Sequence, residues 1–166
     1  MPELQRLHAG HASAVLAFEL ANRAYFAASI SDRGDDYFTH FADRHQALLA
    51  EQDAGICHFH VIVADGEILG RVNLVDVADG TAELGFRIAE KAAGRGLATA
   101  SVREVLTLAA TSYGLTTVWA AAAVANIGSR TVLTRNGFLP TGEEVMLEGR
   151  PGLRYLLSPL SLRNPE

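Results

Sequence analysis

Residues 82–99 of this 166-residue chain, AELGFRIAEKAAGRGLAT, decide how the rest of the sequence is interpreted. Apolar residues alternate along 82–88, which is the pattern of a strand with one buried face. Two glycines, Gly94 and Gly96, follow among small neighbours, and apolar residues then recur at helical spacing along 102–113. The stretch therefore predicts a strand, a glycine turn and a helix, in that order.

A turn of this kind suits a phosphate group. Its backbone amides are unpaired, the adjoining helix adds the positive end of its dipole, and small residues let a ligand approach the backbone closely. Turn geometry alone would explain the same two glycines equally well. Four basic side chains flank the turn and would add positive charge: Arg87, Lys91, Arg95 and Arg103.

Two familiar phosphate-binding loops do not match this turn. No G-x-x-x-x-G-K-[ST] occurs in the chain, which excludes a Walker loop. A dinucleotide fingerprint needs a third glycine where Thr99 stands and an acidic residue about twenty positions further on. No Asp or Glu occurs between Glu104 and Glu143, so NAD is not the expected ligand.

The run Lys91-x-x-Gly94-x-Gly96-x-Ala98-Thr99 resembles motif A of the GNAT N-acetyltransferases, [RQ]-x-x-G-x-[GA], with Lys91 as a departure at the first position. That departure is mild, because in this family the backbone, more than this side chain, binds the pyrophosphate of acetyl-CoA.

A second motif lies downstream in the expected order. Asn126-x-x-Ser129, followed by LTRNGF at 133–138, is similar to the segment typical of the RimJ/RimL branch of that family. This branch acetylates protein N-termini and other amines. The resemblance covers residues 82–157, and before residue 82 it holds only in the order of elements.

The fold class that the resemblance implies is α+β, an α/β sandwich: a mixed, mostly antiparallel sheet flanked by helices and splayed between the strands at 82–88 and 116–125. We expect a single domain over residues 1–166, since this length suits one core. Periodicity predicts the other elements in chain order: a strand at 4–7, helices at 12–30 and 35–52, strands at 57–63 and 68–77, a helix that ends at Gly114, a helix at 129–135, and strands at 143–147 and 154–157.

Acetyl-CoA is the cofactor that the resemblance implies. Amides of the glycine turn would bind its pyrophosphate, the strand at 86–88 would pair with its pantetheine arm, and Asn126 would help to bind coenzyme A. The full expected set is Phe86, Arg87, Ile88, Lys91, Gly94, Arg95, Gly96, Leu97, Ala98, Thr99, Asn126 and Ser129.

The resemblance also implies catalytic roles. Ser129 would lie near the sulfur and donate a proton to the departing thiolate, although a serine at a helix start serves equally well as an N-cap. Two glutamates are candidates for the general base: Glu148, which matches a base of some RimL-like enzymes by position, and Glu83, on the strand face shared with Arg87. As an alternative, either glutamate is a plain ion-pair partner of Arg87 or Arg150.

The implied function is direct transfer of an acetyl group from acetyl-CoA to a primary amine in a ternary complex, and a protein N-terminal alanine or serine is the first acceptor to consider. Amino acids, polyamines and aminoglycosides are alternative acceptors, and a non-catalytic acyl-CoA sensor on the same fold is an alternative function.

Asp32, Asp35 and Asp36 form an acidic turn between the first two helices, which would either attract a cationic acceptor or simply be solvated.

Composition excludes other classes of protein. Nineteen acidic residues against fourteen Lys and Arg give a net charge of −5, which argues against nucleic acid as a partner. No apolar run approaches the length of a membrane helix and no signal peptide is evident, so we expect a cytoplasmic protein without membrane contact. One cysteine, Cys57, and the pair His58 and His60 do not make a ligand set, so no metal is expected. The family also allows a homodimer.

Overall fold

The computed structural model describes residues 1–160, in which a seven-stranded sheet carries helices on both faces. The last six residues of the predicted domain, 161–166, lie outside the described residues. The strands are β1 (Glu3–Arg6), β2 (His58–Ala64), β3 (Glu67–Ala78), β4 (Thr81–Ile88), β5 (Thr117–Ala123), β6 (Leu139–Leu147) and β7 (Arg150–Leu157). The helices are α1 (Ala12–Ala21), α2 (Arg23–Ala27), α3 (Asp35–Thr39), α4 (Phe41–Asp53), α5 (Leu97–Thr111) and α6 (Ile127–Arg135).

The sheet has the order β1-β2-β3-β4-β5-β7-β6, and its neighbouring strands are antiparallel except for β4 and β5. The parallel pairing joins only Thr81–Glu83 to Thr117–Trp119. Further along, β4 continues to Ile88, while β5 keeps only its pairing with β7 as far as Ala123. The two strands therefore separate at their carboxyl ends, and the predicted fold class with its splay is confirmed.

Two hydrophobic cores lie on opposite faces of this sheet. The α5-side core contains Leu106 packed with Ile62 of β2, and the α1-side core contains Phe18 packed with Val61 of the same strand. Residues 61 and 62 point to different cores because side chains alternate along a strand. The period of two predicted for this strand is confirmed, and both of its faces are buried.

The first predicted helix is interrupted at Asn22, so that α1 ends at Ala21 and α2 begins at Arg23. The buried Asn22 side chain donates from Nδ2 to the Phe18 carbonyl at 2.9 Å and accepts the Glu90 N–H at 3.0 Å. It thus joins the end of α1 to the segment after β4. The helical period continues across this position, so the break carries no local signal.

The second predicted helix is likewise divided at His40, and the last two strands start earlier than predicted, at Leu139 and Arg150. In β6 the register with β7 is irregular between Pro140 and Glu144. A proline is tolerated there because β6 lies at the edge of the sheet.

No helix among residues 1–160 combines the length and apolar character needed to cross a bilayer. In the same part of the chain, no three His, Cys, Asp or Glu residues gather as a metal-binding group. His58 instead stacks on Tyr113 at 3.7 Å between ring centroids. His60, 2% exposed, lies with Nδ1 3.0 Å from the Val72 carbonyl and Nε2 2.7 Å from the Tyr113 hydroxyl.

The buried His60 predicts a dependence of stability on pH. Because the Val72 carbonyl can only accept, Nδ1 carries the proton and Nε2 accepts from the Tyr113 hydroxyl, so the ring is neutral. Burial, helped by the charges of Arg6 and His58, lowers the His60 pKa from 6.5 to about 4. Between these two pH values the unfolded chain binds a proton that the folded chain does not, so the free energy of unfolding falls as the pH is lowered through this window, by up to roughly 3 kcal/mol from this residue.

The measurement is chemical denaturation of the wild type and of His60→Gln at pH 4.5, 5.5 and 7. The variant is expected to be less stable at pH 7 but to lose less stability on acidification. His40→Gln, at an exposed position, is the control and should keep the wild-type slope. Equal slopes for the wild type and His60→Gln would contradict the prediction.

Candidate active site

The glycine turn after β4 leaves backbone amides free for a ligand. Gly94 and Gly96 adopt left-handed conformations, with φ of 76° and 78°, and a Cβ at either position would meet no atom within 4 Å. Helix α5 begins directly after Gly96 without a side-chain cap, and Ala100 is the first residue whose N–H is bonded within this turn, to the Gly96 carbonyl at 3.0 Å. Within residues 1–160, the structure shows no backbone acceptor for the amides of residues 94–99. This is a cradle for an anion.

The basic side chains near the turn are arranged differently from the sequence-based expectation. Lys91 pairs with Glu67, and Arg95 donates from Nη2 to the Lys91 carbonyl at 2.6 Å. The guanidinium of Arg87 lies on the opposite face of the sheet, bonded to Glu19. Positive potential at the turn therefore comes from the helix amides more than from Arg87.

Strand β4 offers a free edge next to this turn. Residues 86–88 pair with β3 on one side but lie beyond the last pair that joins β4 to β5. On the β5 side, the described residues supply no strand partner for them. An extended ligand arm can therefore pair with β4 as an additional strand would.

Helix α6 starts on the other side of the splay, directly after β5. Its N-cap is Asn126, whose Oδ1 accepts the Ser129 N–H at 3.1 Å. The alternative in which Ser129 is the cap is therefore wrong, and within residues 1–160 the structure shows no hydrogen bond of its hydroxyl. A role of Asn126 in binding the cofactor stays a prediction.

Asn136, which the sequence singled out only as part of a motif, links the two helices. Its buried side chain donates from Nδ2 to the Thr99 carbonyl at 3.2 Å and to the Val132 carbonyl at 3.0 Å. Thr99 lies in the first turn of α5. Asn136 thus fixes the start of α5, and with it the glycine turn, against the end of α6.

The α1-side face of β4 carries Glu83, Gly85 and Arg87. Glu83 and Arg87 do not pair with each other, because Arg87 binds Glu19 instead. Burial and the nearby charge of Asp76 raise the pKa of Glu83, and Arg154 opposes them only in part. Such a carboxylate is a better proton acceptor than an exposed one.

Gly85 leaves open space between these two charged residues, since a Cβ there would meet no atom within 4 Å. Asn73 lies opposite Gly85 on β3, and its Oδ1 is buried without a hydrogen-bond partner among the described residues. A buried amide oxygen of this kind is costly unless a ligand or water reaches it. We call the space over Gly85 and Asn73 on this face the groove.

Glu148 lies at the tip of the β6–β7 hairpin, where its Oε2 accepts the Ser31 N–H at 3.2 Å. Arg150 donates to the Ala28 carbonyl at 3.4 Å. The hairpin tip therefore contacts the loop that follows α2, and Glu148 is not an ion-pair partner of Arg150.

A buried ionic cluster under α1 was not foreseen from the sequence. Glu19 is 1% exposed, and its carboxylate accepts hydrogen bonds from Arg33, Arg71 and Arg87 at 2.8–3.2 Å. Burial alone would raise the pKa of Glu19, but the hydrogen bond and charge of Arg33 and the charges of Arg71 and Arg87 outweigh it and lower the pKa. Glu19 is therefore ionised. The one local signal was an acidic residue within an apolar helical segment.

The sequence left open whether the acidic turn attracts a cationic acceptor or is simply solvated, and the structure shows it bound by an arginine of the same chain. Arg23 binds Asp32 at 2.7 Å and Asp35 at 2.9 Å. The hydrogen bond from Arg23 also lowers the pKa of Asp32, to about 2. Two of the three carboxylates are thus compensated, and Asp36 is exposed.

Comparison with known proteins agrees with this geometry. The sequence profile of the Acetyltransferase (GNAT) domain matches residues 3–139. The putative ribosomal N-acetyltransferase YdaF of Bacillus subtilis is 37% identical over 84 residues. That match covers 49% of this chain and 46% of the relative, so the chain aligns with about half the length of the curated relative.

Solved structures share the fold over nearly the whole chain. The ribosomal-protein-S5-alanine acetyltransferase of Vibrio fischeri superposes with a TM-score of 0.89 at 16% identity, covering 98% of this chain and 96% of that one. RimJ of Mycobacterium smegmatis, solved in complex with CoA-disulfide, gives 0.84 at 25% identity, covering 95% of this chain and 81% of that one.

The family profile begins at residue 3, whereas the resemblance based on the motifs covers only residues 82–157. It includes α1 to α4 as well as the glycine turn, and the RimJ-type neighbours agree with the branch predicted from residues 126–138. With well over half of its length matched by the profile, the chain belongs to the GNAT acetyltransferase family.

Proposed function

We propose that this protein is an acetyl-CoA-dependent N-acetyltransferase that transfers the acetyl group directly to a primary amine in a ternary complex. The observation that carries the proposal is the open glycine turn beside the unpaired edge of β4. The turn would bind the pyrophosphate through the amides of residues 94–99, and residues 86–88 would pair with the pantetheine arm. The thioester would then lie in the splay between β4 and β5.

The chemistry follows from groups on both sides of the splay. The lone pair of the neutral amine attacks the thioester carbonyl carbon, a C–N bond forms, and the C–S bond breaks. A backbone N–H of β4 polarises the carbonyl oxygen, and Ser129 donates a hydrogen bond to the departing thiolate. The proton lost by the amine goes to a carboxylate. Glu83 is the base that the raised pKa supports, with Glu148 as the second candidate.

The acceptor we propose is a protein N-terminus, with alanine or serine as first choice. The names of the relatives support it: one is a ribosomal-protein-S5-alanine acetyltransferase and another a putative ribosomal N-acetyltransferase. Polyamines and aminoglycosides are polycations, and the arginines around Glu19 would repel them from the groove.

Replacing Gly96 with alanine tests the cofactor site. The left-handed φ of 78° makes an alanine there unfavourable by about 1 kcal/mol, and the added methyl group stands where the pyrophosphate would approach. We expect the affinity for coenzyme A, measured by calorimetry, to fall by roughly tenfold or more.

Gly55→Ala is the matched control, since Gly55 has φ of 76° and equally open surroundings in the turn after α4. It should lose similar stability while keeping wild-type affinity for coenzyme A. Unchanged affinity in Gly96→Ala, or equal weakening in both variants, would contradict the proposed cofactor site. Wild-type protein that binds coenzyme A but acetylates no amine would support the sensor alternative.

Replacing Glu83 with glutamine tests the general base. We expect kcat to fall by roughly 100-fold, with little change in KM for acetyl-CoA, because the proton acceptor is lost while the cofactor contacts remain. Glu148→Gln, at the hairpin tip, should reduce kcat much less. The reverse order of the two effects would assign the base to Glu148.

The raised pKa of Glu83 adds a dependence on pH. With peptide saturating, kcat should fall as the pH is lowered through this pKa, because a protonated carboxyl group cannot accept the amine proton. Asp76→Asn removes a negative charge that raises the pKa, so this decline should move to lower pH. An unmoved profile would exclude Glu83 as the titrating group.

Two further expectations stay proposals: residence in the cytoplasm and a homodimer. The homodimer is supported by edge strand β6, which leaves Leu139 and Met146 each 70% exposed. Large exposed apolar side chains on a sheet edge are typical of an interface.

A further inference from the structure

The cluster around Glu19 carries more positive charge than its single carboxylate compensates. Oε1 of Glu19 accepts from Arg33 Nε at 2.9 Å and from Arg87 Nη1 at 3.0 Å. Oε2 accepts from Arg71 Nη1 at 2.8 Å and from Arg33 Nη2 at 3.2 Å. Three guanidinium groups thus share one carboxylate, which leaves a surplus of two positive charges.

The neighbouring acidic turn does not remove this surplus. Asp32 and Asp35 are bound by Arg23, and neither contacts the three arginines of the cluster through a salt bridge in the described chain. Counting these two carboxylates and Arg23 together with the cluster still leaves one positive charge. A partly buried surplus of this kind attracts an anion.

Two of the three arginines can reach a ligand. The side chains of Arg33 and Arg87 are 30% and 18% exposed, whereas those of Glu19 and Arg71 are 1% and 4% exposed. Within residues 1–160, the structure shows no protein acceptor for Arg33 Nη1 or Arg87 Nη2. These nitrogens are available to form the paired hydrogen bonds that guanidinium groups make with carboxylates.

Both guanidinium groups are also held in place. Arg33 lies over the Tyr37 ring and Arg87 over the Phe26 ring, each at 4.7 Å from the ring centroid. Arg33 and Arg87 line one pocket with six other residues: Glu19, Arg23, Phe26, Ser31, Asp32 and Phe38. Ser31 is also the residue whose N–H Glu148 accepts. Both arginines thus bind Glu19 on the α1-side face of the sheet, the face that also carries Glu83 and Gly85, and not at the glycine turn.

The spacing along β4 relates this pocket to the reaction centre. Glu83, Gly85 and Arg87 alternate on one face, and two residues of a strand advance about 6.5 Å. An amine over Gly85 would lie near Glu83 and near the unpaired Oδ1 of Asn73. A group bound at Arg87 would then lie about two residues of extended peptide away from that amine.

We propose that the acceptor is a peptide N-terminus with Asp or Glu at its second or third residue, whose carboxylate is bound by Arg33 and Arg87. The proposal rests on the acetyltransferase function above and names its substrate class. A free dicarboxylic amino acid offers the same carboxylate chemistry, and the experiment separates the two.

The experiment measures kcat/KM for matched peptides that begin with alanine and carry Asp, Asn or Lys at the second or third residue, with free glutamate as a further acceptor. For the wild type, the Asp peptides should exceed the Asn peptides by roughly tenfold or more, as expected for a charge-assisted contact. The Lys peptides should be poorest. The difference should lie mainly in KM, because the contact forms already in the ground state.

Arg33→Gln should bring the Asp and Asn peptides to within about twofold of each other. Arg44→Gln is the matched control. The Arg44 guanidinium lies over the same Tyr37 ring, 5.7 Å from its centroid, and in the described structure it makes no hydrogen bond to Glu19. The substitution therefore removes one positive charge without changing the bonds of the cluster. It should keep most of the preference. Arg33→Lys, which retains the charge but not the fork of donors, should lie between the two.

Several outcomes would overturn the inference and leave the proposed function intact. One is equal turnover of Asp, Asn and Lys peptides by the wild type, which needs no variant to fold. Another is loss of the preference in Arg44→Gln as much as in Arg33→Gln. A preference for free glutamate over every peptide would assign the pocket to a small amino acid instead. Absence of turnover with any amine, despite binding of coenzyme A, would contradict the acetyltransferase function itself.

Discussion

The early end of the pairing between β4 and β5 is the constraint on which the rest of the structure depends. After three residue pairs, the carboxyl half of β4 has an unpaired edge in the interior of a seven-stranded sheet, where backbone groups are ordinarily bonded on both sides. Those groups need water or a ligand. The same separation opens the sheet between its two faces, and in the proposed function a donor held at the α5 side would meet there an acceptor held at the α1 side.

The α1 side is organised around an ion and not around apolar packing alone. Burying the carboxylate of Glu19 costs several kcal/mol unless good partners compensate it, and its partners come from the loop after α2, from β3 and from β4. The cluster therefore fixes α1 and that loop relative to the sheet. Because Glu148 at the tip of the β6–β7 hairpin accepts from Ser31 in the same loop, this loop contacts that hairpin directly and is joined to β3 and β4 through Arg33 and Glu19.

The sequence predicted those features that a local rule dictates. Gly94 and Gly96 indicated a turn because glycine is a typical turn residue, and the alternation in β2 and β4 placed their side chains on the correct faces. Asn126 as the N-cap, and not Ser129, needed the exact start of α6, which periodicity fixes only to within a few residues.

The Glu19 cluster was out of reach for a different reason. Its arginines lie 14, 52 and 68 positions away in the chain, and no local pattern relates them. The break at Asn22 has the same origin, since its partner Glu90 is also 68 positions away. Both features arise from the packing of the α1 side onto the sheet, which becomes visible only in three dimensions.

Separate cores on the two faces of the sheet have a consequence for how such a protein can diversify. The sheet separates the two cores, so substitutions among the helices of the α1 side can accumulate without disturbing the packing under α5. If the protein acts as proposed, descendants of one ancestral gene can thus exchange one amine for another while the same thioester carrier is retained.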